Sequence, residues 1–165
     1  MGKKEDKRYP PEASIVYDWW NQLKADKGRR AELRRAKNLE EVFFIPAYHS
    51  LLKRLRPTNW HSSRNIALIA GIVAHVENNA DRIPFAAQMA SPGKTGKKAC
   101  VSGLRFRRII QHKTQEDVFG PLIRIIRLLD KKANVKDLVQ KLYWWNDRAR
   151  KDWAFEYYSK APSEE

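Results

Sequence analysis

Arginine and lysine side chains recur along the whole sequence, often three or four residues apart, and phosphate binding is the chemistry that suits them best. A guanidinium group is a planar fork of N–H donors that can bind two phosphate oxygens at once. Cations spread in this way predict a track along a phosphate backbone rather than one helix inserted into a groove. The basic groups are Arg29, Arg30, Arg34, Arg35, Lys53, Arg54, Arg56, Lys94, Lys97, Lys98, Arg105, Arg107, Arg108, Arg124, Arg127, Arg148, Arg150 and Lys151.

Side chains that could perform catalysis or hold a metal are not spaced for either task. No two histidines have the close helical spacing of a metal-binding pair. Glu40 and Glu41 are adjacent, which suits the start of a helix better than a pair of facing carboxylates. We therefore expect no catalytic residue, no metal and no cofactor. The histidines are His49, His61, His75 and His112.

One short segment resembles part of a nucleotide-binding loop but fails the full pattern. Gly93-Lys94-Thr95 matches the end of a P-loop, whereas Gln88 occupies the position of the required first glycine and no strand pattern precedes it. Cys100 is the only cysteine, which excludes a disulfide or a cysteine-based metal site within one chain. Such cysteine usage is typical of a reducing cytoplasm, where we expect the protein to be.

The charge balance points to a polyanionic partner. The 165 residues include 33 lysines and arginines against 19 aspartates and glutamates, a formal net charge of +14. A merely solubilising surface is the alternative, although a large charge of one sign destabilises a compact fold by self-repulsion. Residues 1–11 form a basic tail without the apolar segment of a signal peptide, and the longest apolar runs are too short to cross a bilayer. We expect a soluble protein without a membrane partner.

The elements that must position these cations are predicted to be helices. Apolar residues recur at helical spacing from end to end, and no stretch shows the sustained alternation of a half-buried strand. The most apolar helix begins at Ser62 or Ser63 and is expected at the centre of its lobe. A segment rich in Gly and Lys interrupts the pattern. We therefore predict an all-α helical bundle in two small lobes, residues 12–90 and 101–160, joined by a basic flexible loop over residues 91–100.

Capping residues mark the predicted helix starts. Asn38, Thr114 and Asn134 are each followed three residues later by an acid, as in a capping box. The helix that begins after Thr114 is predicted to kink at Gly120-Pro121. The helix that begins after Asn134 is predicted to run as one long element to the aromatic end of the chain.

The tryptophans and C-terminal aromatic residues lead to two predictions. Trp60, which lies close to Pro57, is predicted to be exposed, where it could stack on a base of single-stranded nucleic acid. The aromatic C-terminal end is predicted to be exposed and to contact another subunit through Trp153, Tyr157 and Tyr158. Core or interface positions are predicted for Trp19, Trp20, Trp144 and Trp145.

Several blocks of residues resemble a known family, the CasB small subunits of type I-E CRISPR Cascade surveillance complexes. The resemblance spans roughly residues 15–158 and is weakest between about 78 and 100. Its blocks are Tyr17-Asp18-Trp19-Trp20, Leu33-Arg34-Arg35-Ala36, Ile45-Pro46-Ala47-Tyr48, Arg105-Phe106 with Ile109-Ile110, Ile126-Arg127-Leu128-Leu129, and Leu142-Tyr143-Trp144-Trp145 with Arg148 and Arg150.

This resemblance implies a non-catalytic subunit of two helical lobes that lies beside a second copy of itself and other Cascade subunits. Its basic surface would hold the backbones of the target and displaced DNA strands of an R-loop, while guide RNA reads the sequence. By position, the resemblance implies DNA contacts at Arg35, Arg64, Arg127 and Arg148. Charge periodicity adds Arg34, Arg105, Arg108 and Arg150, with Lys97 and Lys98 as further candidates.

Two other functions remain open at the level of the sequence. A stand-alone helical DNA- or RNA-binding regulator would place one recognition helix in a groove and read bases, but the sequence has no compact helix-turn-helix pattern. An RNA-processing enzyme would need distant residues to converge in space and would show metal-dependent turnover. A strict sequence preference would favour the regulator, and cleavage with Mg²⁺ would favour the enzyme.

Overall fold

The computed structural model describes residues 8–94 and 96–162, and the all-α prediction is confirmed for them. Within these two ranges, helices form nearly all of the regular structure, and each of the two strands has only two residues. The elements are α1 (Pro11–Ala25), α2 (Lys27–Arg35), α3 (Leu39–Val42), α4 (Pro46–Leu55), α5 (Ser63–Val73), β1 (Asn78–Asn79), α6 (Phe85–Ala90), α7 (Gly103–Gln111), α8 (Gln115–Leu128), β2 (Lys132–Ala133), α9 (Val135–Tyr143) and α10 (Asp147–Lys160). Residues 1–7 of the predicted N-terminal tail lie outside the described residues.

The predicted helix starts are real because side chains satisfy backbone donors that a helix leaves unpaired. Asn38, Thr114 and Asn134 each accept a hydrogen bond from the backbone N–H three residues later. Ser62 does the same at the start of α5. Each of these caps depends only on neighbouring residues, so the sequence was sufficient to predict it.

The central position predicted for α5 is confirmed. Every residue from Ile66 to Val73 is buried, and the helix packs against elements on both sides of the 91–100 loop, including α4, α8 and α9. Gly71 allows the close approach of α8, because a Cβ atom at this position would lie 2.6 Å from Cε2 of Phe119. The segments from residues 12–90 and 101–160 therefore share one buried core, and their division into two lobes stays a prediction.

The predicted long last helix is wrong, because the chain breaks between α9 and α10. The side chain of Asn146 accepts a hydrogen bond from the N–H of Ala149 at 3.0 Å and starts a new helix. Trp145 fixes the break by donating its indole N–H to the carbonyl oxygen of His112 at 2.8 Å. After the break, α10 packs along α6.

The loop over residues 91–100 is tied to the core at its base. Pro92 and Ala99 form an isolated antiparallel bridge, and the N–H of Cys100 donates to the carbonyl oxygen of Ser91 at 2.8 Å. Nearby, β1 pairs with β2 in parallel through Asn78 with Lys132 and Asn79 with Ala133. Pro121 lies inside helix α8, and the kink predicted at Gly120-Pro121 stays a prediction. Among the described residues, no helix is both long and apolar enough to span a membrane.

Three predictions about aromatic exposure are corrected. Trp60 is only 2% exposed because its ring stacks on Tyr143 with a centroid distance of 4.4 Å. Trp153 is fully buried, and Tyr157 is 2% exposed because α6 and α7 cover this side of α10. Tyr158 alone of the predicted partner residues is substantially exposed, at 49%.

For Trp144 the core alternative is wrong, and an interface position stays a prediction. Trp144 is 53% exposed at the break between α9 and α10, whereas the burial of Trp19, Trp20 and Trp145 is confirmed. The break explains the difference, because Trp144 follows the last residue of α9 and leaves its apolar face.

Candidate nucleic-acid interface

Arg34 and Arg127, two of the predicted phosphate-binding residues, both act electrostatically on a buried histidine. Arg34 lies on α2 and Arg127 near the end of α8, both exposed, while His75 just beyond α5 is 6% exposed. Burial lowers the pKa of His75 from 6.5 to about 4, and Arg34, Arg127, Arg30 and Lys131 act in the same direction. We call these four cations and His75 the His75 cluster.

The His75 cluster holds more positive charge than its acidic neighbour can neutralise. Glu77 lies 3.6 Å from Arg30 and 3.3 Å from Lys131, measured between charged nitrogen and oxygen atoms. The hydrogen bond from Lys131 is the main reason why the pKa of Glu77 falls below its usual value. Arg30 also donates from Nε to the carbonyl oxygen of Ala74 at 3.0 Å. Glu77 thus positions Arg30 and Lys131, and one carboxylate cannot compensate four cations.

A second group of predicted arginines lines a groove between α7 and α8. Arg105 and Arg108 reach it from α7 and Arg124 from α8. The groove has a volume of about 330 Å³, and none of the described residues that line it is acidic. We call it the α7–α8 groove. Its remaining lining residues are Ile109, His112, Pro121, Ile125 and Leu128.

Helix α8 connects the α7–α8 groove to the His75 cluster. Arg124 and Arg127 are three residues apart, so they lie about one helical turn from each other. Arg124 lines the groove, whereas Arg127 acts on His75. The two sites together form a basic surface to which both halves of the chain contribute.

The lysines of the loop lie beside the N-terminal end of α7. Lys97 and Lys98 line a separate surface pocket with Ser102, the N-cap of α7, and with Tyr158. Lys94 pairs with Asp130 at 3.7 Å, just after α8. The loop therefore borders the helices that carry the arginines, and phosphate binding by Lys97 and Lys98 stays a prediction.

Two predicted phosphate-binding arginines are already engaged within the protein. Arg150 has a side chain only 17% exposed, pairs with Asp147 and donates to the carbonyl oxygen of Ile110 at 3.0 Å. It holds the end of α7 in place, contrary to its prediction as an open phosphate contact. Arg64 forms ion pairs with Glu116 and, at 3.8 Å, with Glu40, so its charge is largely compensated.

Arg35 and Arg148 are exposed but lie outside the two sites just described. Arg148 lines a surface pocket with Trp144 and Asp152 at the start of α10. Sequence reasoning did not select His75, and it named Arg30 and Arg124 only among the basic groups of the predicted track. The three- and four-residue spacing of Arg124, Arg127 and Lys131 was a usable signal, whereas a lone histidine after an apolar helix gave none.

Comparison with protein-family models identifies the family. The model described as CRISPR-associated protein Cse2 matches residues 29–158, which include both the His75 cluster and the α7–α8 groove. The chain belongs to this Cse2 family. The resemblance to CasB proteins in the sequence blocks is thereby confirmed.

Individual relatives agree with the Cse2 assignment. The CRISPR system Cascade subunit CasB of Escherichia coli (strain K12) is 26% identical over 155 residues, which cover 84% of this chain and 88% of the relative. A chain in the crystal structure of E. coli Cascade bound to a PAM-containing dsDNA target matches with a TM-score of 0.67. That match covers 90% of this chain and 97% of the other at 20% identity, and it shows a shared fold.

The pKa of His75 predicts how the stability of this Cse2-family protein changes with pH. Unfolded His75 takes up a proton near pH 6.5, but the folded protein resists protonation until about 4. The contribution of neutral His75 to the free energy of unfolding is therefore fully present above pH 6.5. It is lost as the pH falls from 6.5 to about 4, by about 3 kcal/mol in total. Urea denaturation at several pH values should show this loss, and His75→Gln should remove it.

Comparison with His75→Gln is needed because a half-buried group, Glu156, gives the opposite slope of stability against pH. Burial raises the pKa of Glu156 to about 7, so its contribution to stability is lost as the pH rises. The difference between native protein and variant cancels the effect of Glu156. Equal pH dependence in the two proteins would contradict the assignment of His75 as a buried neutral residue.

Proposed function

We propose that the chain is a non-catalytic small subunit of a type I-E Cascade complex that grips nucleic-acid backbones without reading their sequence. Membership of the Cse2 family and likeness to a Cascade subunit support the assignment to such a complex. The observation that carries the binding role is the continuity of the His75 cluster with the α7–α8 groove. This basic surface comprises Arg30, Arg34, Arg105, Arg108, Arg124, Arg127 and Lys131.

The basic surface is suited to phosphates rather than to base edges. Its arginines come from three helices, α2, α7 and α8, and Lys131 lies just after α8, so the cations are not gathered on one recognition helix that could enter a major groove. Phosphates are alike in every sequence, which makes binding through them independent of sequence. In a guide-RNA complex the pairing of RNA with the target strand reads the sequence, and a protein subunit needs only to hold the backbones.

The electrostatics of the His75 cluster favour binding of an anion. Four cations and a histidine kept neutral are held together in the free protein, where their mutual repulsion raises the free energy. A phosphate between Arg34 and Arg127 relieves this repulsion and releases counterions from the nucleic acid. We propose the target and displaced strands of the R-loop as the ligands, with other Cascade subunits, the guide RNA and a second copy of the chain as neighbours.

A salt series tests this function directly. The purified chain is titrated with two duplexes of unrelated sequence at increasing salt concentration. We expect equal affinities and a logarithmic salt slope of about −0.9 for each phosphate contacted. A strong preference for one sequence would instead support a regulator, and failure to bind either duplex at low salt would refute the proposal.

The non-catalytic part of the proposal needs a separate test. The same duplexes and a guide-like RNA are incubated with the chain and Mg²⁺, and we expect both to remain intact. Cleavage that disappears on substitution of a single carboxylate would show an enzyme. Among the described residues, no three His, Cys, Asp or Glu side chains are grouped so that they could hold a metal ion.

A further inference from the structure

An exposed phenylalanine lies on a part of the surface that the proposed function does not use. Phe44, in the turn between α3 and α4, is 85% exposed, more than any other large hydrophobic residue in the described part of the chain. Its neighbours Phe43 and Ile45 pack against the core and hold the turn. The fold therefore does not need the ring of Phe44, and an exposed apolar ring of this size suggests a binding role.

A basic groove adjoins this ring. Arg29 reaches it from α2, and Lys53 and Arg54 reach it from α4. The groove has a volume of about 670 Å³, and no carboxylate from the described part of the chain lines it. Arg54 donates a hydrogen bond to the side-chain oxygen of Gln22, a neutral group that leaves its charge uncompensated. The other lining residues are Pro46, His49 and Ser50.

One acidic residue lies nearby and can offset at most one of these three charges. Asp26 lines the adjoining cleft with Arg29 and Arg54. Its side chain accepts a hydrogen bond from the backbone N–H of Arg29 at 3.2 Å and so caps α2. The groove beside Phe44 thus keeps three cations next to one exposed aromatic ring.

We propose that this groove is a second nucleic-acid site, which binds a single-stranded segment by stacking a base on Phe44 and holding adjacent phosphates with Arg29, Lys53 and Arg54. Bases in a duplex are already stacked and paired, so only an unpaired base can use the ring. An aromatic ring beside cations matches a ligand in which a flat base accompanies each backbone charge.

The site is separate from the surface proposed above to grip backbones. On α2, Arg30 and Arg34 belong to the His75 cluster, whereas Arg29 belongs to the groove beside Phe44. The two surfaces therefore lie on different sides of the same helix. This inference extends the proposed function, and the two can fail independently.

The experiment compares a short oligothymidylate with a random-sequence duplex, both measured by fluorescence anisotropy at low salt. Phe44→Ala should weaken binding of oligothymidylate roughly 5- to 150-fold, the range for loss of one stacked base, and leave duplex binding unchanged. Phe155→Ala is the matched control, because Phe155 is 75% exposed on α10 and lines none of the grooves described. It should change neither affinity.

A second variant reports on the contact itself. In Phe44→Trp, saturation with oligothymidylate should quench tryptophan fluorescence more strongly than in the native protein, because the new indole is covered by a base. Melting temperatures should be unchanged in both variants, since the ring is exposed.

Three outcomes would overturn the proposal. Native affinity of Phe44→Ala for oligothymidylate would show that the ring is not a stacking platform. Binding of duplex without binding of oligothymidylate would refute this site and the displaced strand as a ligand, while the grip on duplex backbones stands. Competition by polyglutamate as effective as that by oligothymidylate, with equal dependence on Phe44, would identify an acidic protein segment as the ligand.

Binding of oligothymidylate that depends on Phe44, without binding of duplex, would support this site and refute the backbone grip.

Discussion

Reversing the charges of Arg34 and Arg127 together should abolish most of the affinity of the chain for duplex DNA. Both residues are exposed and both lower the pKa of His75, so they present charge at one place although they lie far apart in the sequence. We expect Arg34→Glu with Arg127→Glu to weaken binding at least about tenfold at low salt and to reduce the magnitude of the logarithmic salt slope by about two. The loss should be equal for unrelated sequences.

A charge-matched variant tests whether binding depends on a local site or on the overall charge of the chain. Arg56→Glu with Arg82→Glu changes the net charge by the same amount at two exposed positions that belong to neither the His75 cluster nor the α7–α8 groove. We expect this variant to retain most of its affinity. Equal weakening in the two double variants would show that binding depends on net charge alone and would contradict an assembled basic surface.

Replacing Trp153 by alanine should destabilise the protein by about 3–5 kcal/mol. The side chain is fully buried and lies against Phe85 and Trp145, with ring centroids 5.4 Å and 5.0 Å away. Its loss leaves a cavity between α6 and α10 that rigid helices cannot close. The free energy of unfolding from urea titration provides the measurement, and the expected loss is a large share of the stability of a domain of this size.

Trp144→Ala is the control for this substitution. Trp144 is 53% exposed, so removing it should cost less than about 1 kcal/mol. The sequence alone predicted Trp153 as a partner contact, whereas the structure buries it in the core. A core residue affects stability when it is replaced, and a partner contact affects association. A Trp153→Ala variant that keeps its stability but associates less well with partner subunits would restore the interface assignment.

The features that sequence predicted correctly depend on short-range physics. A cap such as Asn38 or Thr114 bonds to an N–H three residues away, so the pattern contains the whole interaction. The apolar stripe of α5 likewise predicts burial without specifying its neighbours. The break before α10 was missed because apolar and aromatic residues continue on both sides of the polar segment 146–152, and no Gly or Pro marks the boundary. The cap formed by Asn146 was therefore the only local signal.

The features that sequence missed depend on contacts between distant segments. Periodicity shows that Trp153 and Tyr157 share a face of α10 but not that α6 and α7 cover it. In the same way, a run of arginines does not reveal that Arg150 is engaged by the carbonyl oxygen of Ile110. For the candidate site, composition predicted the cations, and only the fold could show which of them converge on His75.

The packing of α6 against α10 has a consequence for the order of events during synthesis. The buried face of α6, with Phe85 and Met89, leaves the ribosome before the residues of α10 that cover it. Until those residues emerge, the nascent chain exposes an apolar surface that promotes aggregation. Cooperative closure of the core therefore follows translation of nearly all of the segment described, and the growing chain depends during this interval on its high charge or on chaperones to remain dispersed.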